Sequence, residues 1–547
     1  MSCMEQKRRG RSGASKRKRR RLAQDFFSFA YTLARAASLH DFEGCHRLLE
    51  EGHDPNAIDE RGYSPLLCLL DDDGASGSAA AVEIAELLVS YGADMNYVHF
   101  NGSTFLLEAA ETNNTEVAKF ALRRGADFST RTYWGRSIAH IAVYHRNTEM
   151  LKELLGQPEF SIDIFDDHGA SPVLTAAENG YLNVLKLFVE RCGKEIVVKL
   201  ANIPCGDDNL NALSAAVNEG HSDVVRFLLH LGVDPNVPYF YTWDDEKKGT
   251  HVVALAASKG FSRCLAPLLV ACDKKVVMNS KLNPLCIAAS NGRYECLELL
   301  LESGYDPNVE RELVAGSGFV YTDFVRPIFQ REYCTPLKEA TQRRHEDCVR
   351  LLIKHGAKMT YDEDVHSPFL YSLRSWSDTK VFECYLENDV DLNVISKDSA
   401  LHIPDALLTC LTEPGYGYGK LNRLLDAGVK VNLEHWCGCK GGYSLIDTLA
   451  ENKNNTDSVE ALVTLVSRYA WRIPNCCDKV AKMTSKPMGE VPRLLHLARH
   501  ALRAAMPPKR LIDDSYVQKL PLPPHLKNYV AFHYKNEVMC NSKIRDL

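Results

Sequence analysis

Apolar positions along the chain fall into two alternating blocks. One is a helical run that closes on paired leucines and then passes through a polar pair into Gly, a short residue, Asp and Asn. It reads "CHRLLEEGHDPN" from residue 45, "IAELLVSYGADMN" from 84, "VVRFLLHLGVDPN" from 224, "CLELLLESGYDPN" from 296 and "LNRLLDAGVKVN" from 421, with weaker copies from 117, 348 and 381. Gly92 and Gly125 lie 33 residues apart, and the other intervals are this period plus insertions. The second block precedes the first, as in "SPVLTAAENGY" from 171, "NALSAAVNEGH" from 211, "NPLCIAASNGR" from 283 and "TPLKEATQRRH" from 335. Pro presets the first turn of a helix, paired small residues let a neighbouring helix approach closely, and Gly or Asn ends it. Each unit is therefore predicted to be a helix, a tight turn, a second helix and an outward hairpin. No such unit buries its apolar face alone, so neighbours must stack into a continuous core.

The period stops near residue 475, where the apolar pattern changes. Leu494, Leu497, Ala498, Ala501, Leu502 and Ala505 fall at helical spacing, i, i+3, i+4, i+7, i+8 and i+11, while Arg493, Arg499, His500 and Arg503 occupy other faces. Pro492 suits the first turn of this helix, and Pro507 with Pro508 ends it. Next comes "DDSYVQKLPLPPHLKNYVAF", residues 513–532. Its alternating prolines hold Leu520, Pro521, Leu522 and Pro523 extended, because each biases the residue before it away from helix. A short helix bearing Leu526, Tyr529 and Val530 follows.

Two insertions fall at hairpin positions, 237–249 and 310–334. The first carries Tyr239, Phe240, Tyr241 and Trp243; the second carries Phe319, Tyr321, Phe324 and Phe329. Exposed rings of this kind anchor protein partners, because they bury a large area at little rotamer entropy. A second reading stands beside it, in which the rings fold back over their own repeats.

Composition changes this picture little. Apolar residues at 45% and charged residues at 25% are ordinary for a folded chain. The 18 cysteines are scattered singly, many inside apolar helical runs, as reduced core cysteine in a cytosolic or nuclear protein would be. No secretory leader and no membrane-length apolar run is expected. Charge is more telling. Residues 1–21 hold ten Lys or Arg against Glu5, a net of +9, which leaves −15 for the remainder of a chain of formal charge −6. The segment 1–27 reads as a disordered basic tail, and Lys16–Arg21, "KRKRRR", as a nuclear import signal on an otherwise cytoplasmic protein, or as a flexible tail with no address. An acidic body argues against nucleic acid as a partner.

Chemical motifs are sparse. "GYGYGK" from residue 415 lacks the Ser or Thr and the spacing of a phosphate-binding loop. Cys437, Cys439, Cys476 and Cys477 lack the spacing of a zinc site. No catalytic residue, metal site or cofactor is expected.

The repeating unit resembles the ankyrin repeat, with about eleven copies across residues 28–470 on the expected period of about 33. Residues 491–532, an Ala-lined helix, a Leu-Pro-Leu-Pro brace and a closing helix, resemble a SOCS box. Together they resemble the ankyrin repeat and SOCS box protein family. The resemblance implies an all-α repeat solenoid, an ankyrin repeat array followed by a small helical SOCS box. It also implies a non-catalytic substrate receptor of an E3 ubiquitin ligase that works with elongin B, elongin C, cullin 5 and a RING-box protein, and directs a protein substrate to ubiquitination and proteasomal degradation. By resemblance, Leu494, Leu497, Ala498, Ala501 and Leu502 bind elongin C, and Leu520, Pro521, Leu522 and Pro523 select cullin 5. The family usually has Cys where this chain has Ala498, a truncation that lowers affinity by about 1 kcal/mol. An ankyrin scaffold or nuclear adaptor with no ligase role is the alternative.

Overall fold

A computed structural model describes residues 32–70, 78–206, 209–239, 250–280, 282–309, 311–313, 332–360, 367–374, 379–395, 403–412 and 418–431, with single positions 436, 445, 466, 518 and 519. The described residues form two compact units, divided between Gly206 and Asp207.

In the first unit, α1 (Leu33–Ser38), α3 (Pro65–Cys68), α5 (Phe105–Glu111), α7 (Ile138–Tyr144) and α9 (Pro172–Glu178) are the opening helices of successive repeats. Their partners are α2 (Phe42–Glu50), α4 (Ser78–Ser90), α6 (Thr115–Arg123), α8 (Thr148–Leu155) and α10 (Leu182–Cys192). Each opening helix packs on the next, each partner helix packs on the next, and the two rows form two layers. Paired alanines make this spacing possible: Ala36, Ala37, Ala109, Ala110, Ala176 and Ala177 are fully buried between neighbours. Ser64, Thr104 and Ser171 cap the opening helices by accepting a hydrogen bond from the backbone N–H three residues on. These hydroxyls are themselves buried, so replacing them leaves an orphaned donor in the core.

In the second unit the opening row is α12 (Ala212–Glu219), α14 (Val252–Lys259), α17 (Pro284–Ser290), α19 (Pro336–Gln342), α21 (Pro368–Arg374) and α23 (Asp405–Thr412). The partner row is α13 (Ser222–Leu231), α15 (Ser262–Ala271), α18 (Tyr294–Glu302), α20 (Glu346–Lys354), α22 (Lys380–Glu387) and α24 (Tyr418–Asp426). The same two-layer stacking holds here for each consecutive opening pair and for α13 through α22. This is the all-α repeat solenoid expected from the pattern.

Two helices have no counterpart in the predicted unit. After α10, Gly193 starts α11 (Lys194–Asn202), and after α15, Asp273 caps α16 (Lys274–Asn279). Each occupies the stretch where other repeats have the Gly-x-Asp-x-Asn motif. The insertions leave from closed bases. Tyr239 and Thr250 exchange backbone hydrogen bonds of 3.0 and 2.7 Å across the first. A two-stranded antiparallel sheet, β1 (Arg311–Leu313) and β2 (Glu332–Cys334), brackets the second.

The Gly-x-Asp-x-Asn motif has a double role. Asp54, Asp94, Asp306 and Asp391 each accept a hydrogen bond from the backbone N–H two residues later, which fixes the turn after the partner helix. The closing Asn then reaches the next repeat. Asn56 donates to the Gly92 carbonyl at 3.0 Å and accepts from Asp94 N at 2.7 Å; Asn308 does the same with Gly356 at 3.1 Å and Lys358 at 2.7 Å.

Candidate interaction surfaces

The hairpins of the first unit are built to be rigid at their tips. Asp59 accepts from Arg61 N and Tyr63 N, Asn101 from Ser103 N, Thr132 from Arg136 N, and Asp166 from His168 N and Ala170 N. The tips are tied in pairs, the first to the second and the third to the fourth. His99 donates from Nε2 to the Arg61 carbonyl at 3.0 Å, and Tyr97 donates its hydroxyl to Gly62 at 2.9 Å. Arg131 donates to the carbonyls of Gly135 and Phe165. His140 caps its own helix through Nδ1 and donates from Nε2 to the Ala170 carbonyl at 2.9 Å. Burial holds the His140 imidazole below its ordinary pKa, partly opposed by that carbonyl and by Asp166. Gly135 is needed at the third tip: its φ is +68°, and a Cβ there would lie 2.1 Å from Asp167 Oδ1.

On this frame the second and third tips carry bare rings. Phe100 is 86% exposed, Tyr133 81% and Trp134 59%. Phe100 leans on His99 at 4.0 Å between ring centroids, His99 stacks on Tyr63 at 4.3 Å, and Tyr133 meets Trp134 edge-on at 5.4 Å. Ile58 and Val98, at the bases of the first two hairpins, are exposed as well. None of these five was singled out from the sequence. The available signal was position: Phe100, Tyr133 and Trp134 occupy the two residues before the tip glycine, which project furthest from the layers.

Of the aromatics expected to meet a substrate, only Tyr239 lies among the described residues. It is 3% exposed, so its ring is part of the packing and is not the open anchor expected of it. Phe240, Tyr241, Trp243, Phe319, Tyr321 and Phe324 lie outside the described residues, as do Leu494, Leu497, Ala498, Ala501 and Leu502, and Leu520, Pro521, Leu522 and Pro523. Gln518 and Lys519, just before the Leu-Pro-Leu-Pro stretch, are described and exposed. Lys16–Arg21 and the cysteines at 437, 439, 476 and 477 are also outside.

The described side chains offer little chemistry. Burial pushes the Cys45, Cys272 and Cys410 thiols up to about 12 and those of Cys264, Cys296, Cys348 and Cys384 up to about 11, so each stays protonated and weakly nucleophilic at neutral pH. Among the described residues no three His, Cys, Asp or Glu side chains are grouped to hold a metal ion, and no helix is long and apolar enough to cross a membrane. His251, buried at the start of α14, is held down to about 4 by desolvation.

Comparison with known proteins bears on both parts of the chain. The family description "Ankyrin repeats (3 copies)" matches spans that together run over 33–239 and 241–311, more than half of the chain, and "Ankyrin repeat" matches 332–363. "SOCS box" matches 490–531. Human Ankyrin repeat and SOCS box protein 3 is 25% identical over 549 residues, covering 92% of this chain and 94% of its own length. Mouse Ankyrin repeat and SOCS box protein 14 is 25% identical over 51% of this chain and 49% of its own. The Arabidopsis thaliana E3 ubiquitin-protein ligase KEG is 24% identical over 64% of this chain, which spans about a quarter of that protein's length.

Proposed function

Because the chain belongs to the ankyrin repeat and SOCS box proteins, we propose that it is a substrate receptor of a cullin-RING ubiquitin ligase, with elongin B, elongin C, cullin 5 and a RING-box protein as its partners. The observation that carries this reading is the order of the matches, a SOCS box at 490–531 after ankyrin repeats that run to 363. In this reading the helix bearing Leu494, Leu497, Ala498, Ala501 and Leu502 enters an apolar groove on elongin C, an amphipathic helix-in-groove contact. Leu520, Pro521, Leu522 and Pro523 form the extended stretch that meets cullin 5. The array holds a substrate protein, and Phe240, Tyr241, Trp243, Phe319, Tyr321 and Phe324 in the insertions are candidate contacts.

The chain then acts by position. Holding substrate beside a charged ubiquitin-conjugating enzyme raises the effective concentration of lysine at the thioester, and the receptor supplies no nucleophile. Burial, which pushes the Cys45, Cys264, Cys272, Cys296, Cys348, Cys384 and Cys410 thiols up to about 11 or 12, leaves those seven weak nucleophiles. Ubiquitination and proteasomal degradation of the substrate follow from it. The protein works in the cytoplasm, with Lys16–Arg21 giving it access to the nucleus.

Truncation after Ala470 tests the reading. The shortened chain should keep its helical circular dichroism and lose co-purification with elongin B and C. Retained elongin would overturn the assignment of the docking segment. Ala498 in place of the family's usual Cys favours the alternative, an ankyrin scaffold with no ligase role, in which neither length binds elongin.

A further inference from the structure

Charge is spread unevenly along the chain, and the imbalance falls on the first repeats. Residues 32–116 hold 16 Asp or Glu against Arg35, Arg47 and Arg61, a net of −13, whereas residues 117–547 sum to −1. The opposite charge stands just ahead, in the +9 of residues 1–21, with Asp25 alone charged between the two. Local pairs do not cancel this field. Asp59 pairs with Arg61, Glu116 with Lys119 and Glu86 with Arg124. Glu50 and Glu51 face His46 and His53 at 3.6 and 3.9 Å, imidazoles that carry charge only when protonated. Arg35 and Arg47 are the remaining cations of the stretch, so the balance stays strongly negative.

The helices bring part of this charge together. α2 and α4 pack side by side, Glu43 and Glu50 are exposed on α2 and Glu83 on α4, and α4 carries no basic residue. Arg47 is the one Lys or Arg of α2. Residues 117–147, which include α6, bring six Lys or Arg against Asp127, so the negative surface ends there. Covalent reach sets the occupant. Residues 1–31 lie outside the described residues, and the ten residues between Arg21 and Thr32 span up to about 33–36 Å when extended, several times the roughly 8–10 Å between packed helices. A tether of that length holds the basic run beside the face at an effective concentration on the order of millimolar, an advantage over any free partner of the same charge. Single surface ion pairs are weak, but here a run of cations meets a net negative field within about one Debye length, about 10 Å at 0.1 M salt.

We propose that residues 7–21 dock on the acidic surface of the first repeats, against Glu43, Glu50 and Glu83 of α2 and α4, so that the basic run and this surface shield each other from outside partners. Release then follows a rise in ionic strength, or a competing partner of higher charge. The docking stands apart from the receptor reading. Its consequence, that Lys16–Arg21 is withheld from import while docked, rests on reading that run as an import signal.

The probe is a carbodiimide, which joins an amine directly to a carboxylate in contact with it, applied to the full chain at ~0.1 M and ~1 M salt and read by mass spectrometry of the peptides. Lys7, Lys16 and Lys18 should cross-link to Glu43, Glu50 or Glu83 at the lower salt and lose those links at the higher, where the Debye length is about 3 Å. Trypsin cleavage within residues 16–21 should be at least about five-fold slower in wild type than in the triple variant Glu43→Lys, Glu50→Lys, Glu83→Lys at ~0.1 M salt, the weight of three exposed pairs, and equal to it at ~1 M. All three glutamates are exposed, and circular dichroism checks that the variant is folded. No such links, links formed only between isotopically distinct copies of the chain, or equal cleavage at the lower salt would each overturn the proposal. The nuclear share of fluorescently tagged chains separates the docking from the import reading. The triple variant should be more nuclear than wild type, and replacing each of Lys16 to Arg21 with Ser should abolish import. An unchanged nuclear share in the serine variant would remove the import reading and leave the docking to the cross-links.

Discussion

Gly292 sits in the turn between α17 and α18 with φ of +64°, and a Cβ built on it would lie 2.6 Å from Nδ1 and 2.9 Å from Cγ of His345 in the following repeat. The imidazole has little freedom to withdraw, since its Nε2 donates to the Ser290 carbonyl at 3.0 Å. Gly292→Ala therefore carries two costs, about 1–2 kcal/mol for a side chain in the left-handed region and about 1–3 kcal/mol for overpacking. Gly356 separates them. Its φ is +84° and nothing lies within 4 Å of its built Cβ, so Gly356→Ala carries the backbone cost alone. Urea unfolding followed by far-UV circular dichroism should show Gly292→Ala less stable than Gly356→Ala by about 1–3 kcal/mol. The double variant Gly292→Ala, His345→Ala should show that the two changes are coupled, because the second removes the clash created by the first. Equal losses in the two glycine variants, or additive losses in the double variant, would refute the claim that neighbouring repeats lock through this turn.

Other consequences follow from the same contacts. Asn308→Ala deletes both the bond to the Gly356 carbonyl and the acceptor for Lys358 N, and should cost about 1–3 kcal/mol in the same urea assay. Stability should also fall on acidification. The His251 imidazole is held at about 4 in the folded chain against 6.5 when exposed, so the unfolded state binds more protons between those values; stability is full above pH 6.5 and falls by up to about 3 kcal/mol as pH drops to 4. His251→Asn keeps a capping acceptor like that of Asn283 and should flatten the decline between pH 6.5 and 4 in thermal melts. Truncation after Ala470 should leave the urea transition of the first unit unchanged, because its described helices pack among themselves.

The repeat was legible because its physics is local. Leucine pairs, the Pro-started helix and the Gly-x-Asp-x-Asn close each encode a contact within one period, and the structure gives each a partner: a buried stripe, a cap, an Asx turn. What reaches between repeats was harder to see. The Asn56 and Asn308 bridges use a residue whose motif role looked confined to its own turn. Lys338 fills the α19 position that His140 fills in α7, and it is buried with its ammonium 5.0 Å above the Tyr371 ring, a setting that the string "TPLK" alone does not convey. The helices α11 and α16 were missed because a further helical run of nine or six residues replaces the motif without breaking the helical pattern. Aromatic density pointed to the insertions; among the described residues the most exposed rings are Phe100 and Tyr133, at ordinary tips. Exposure there is set by how hairpins project from stacked layers, which composition does not register. The segment 491–532 was read from its apolar stripe and its prolines as a resemblance to a SOCS box, and the SOCS box match falls on 490–531.

The central claim is that this segment docks the array onto a ligase. The most direct measurement is size-exclusion co-elution of the full chain with purified elongin B and C, run beside Leu494→Arg, which places a charge on the stripe proposed to enter elongin C. The account predicts a stable complex for the wild type and separate peaks for the variant. A wild-type chain that elutes apart from elongin B and C, or a variant that still binds them, would contradict it.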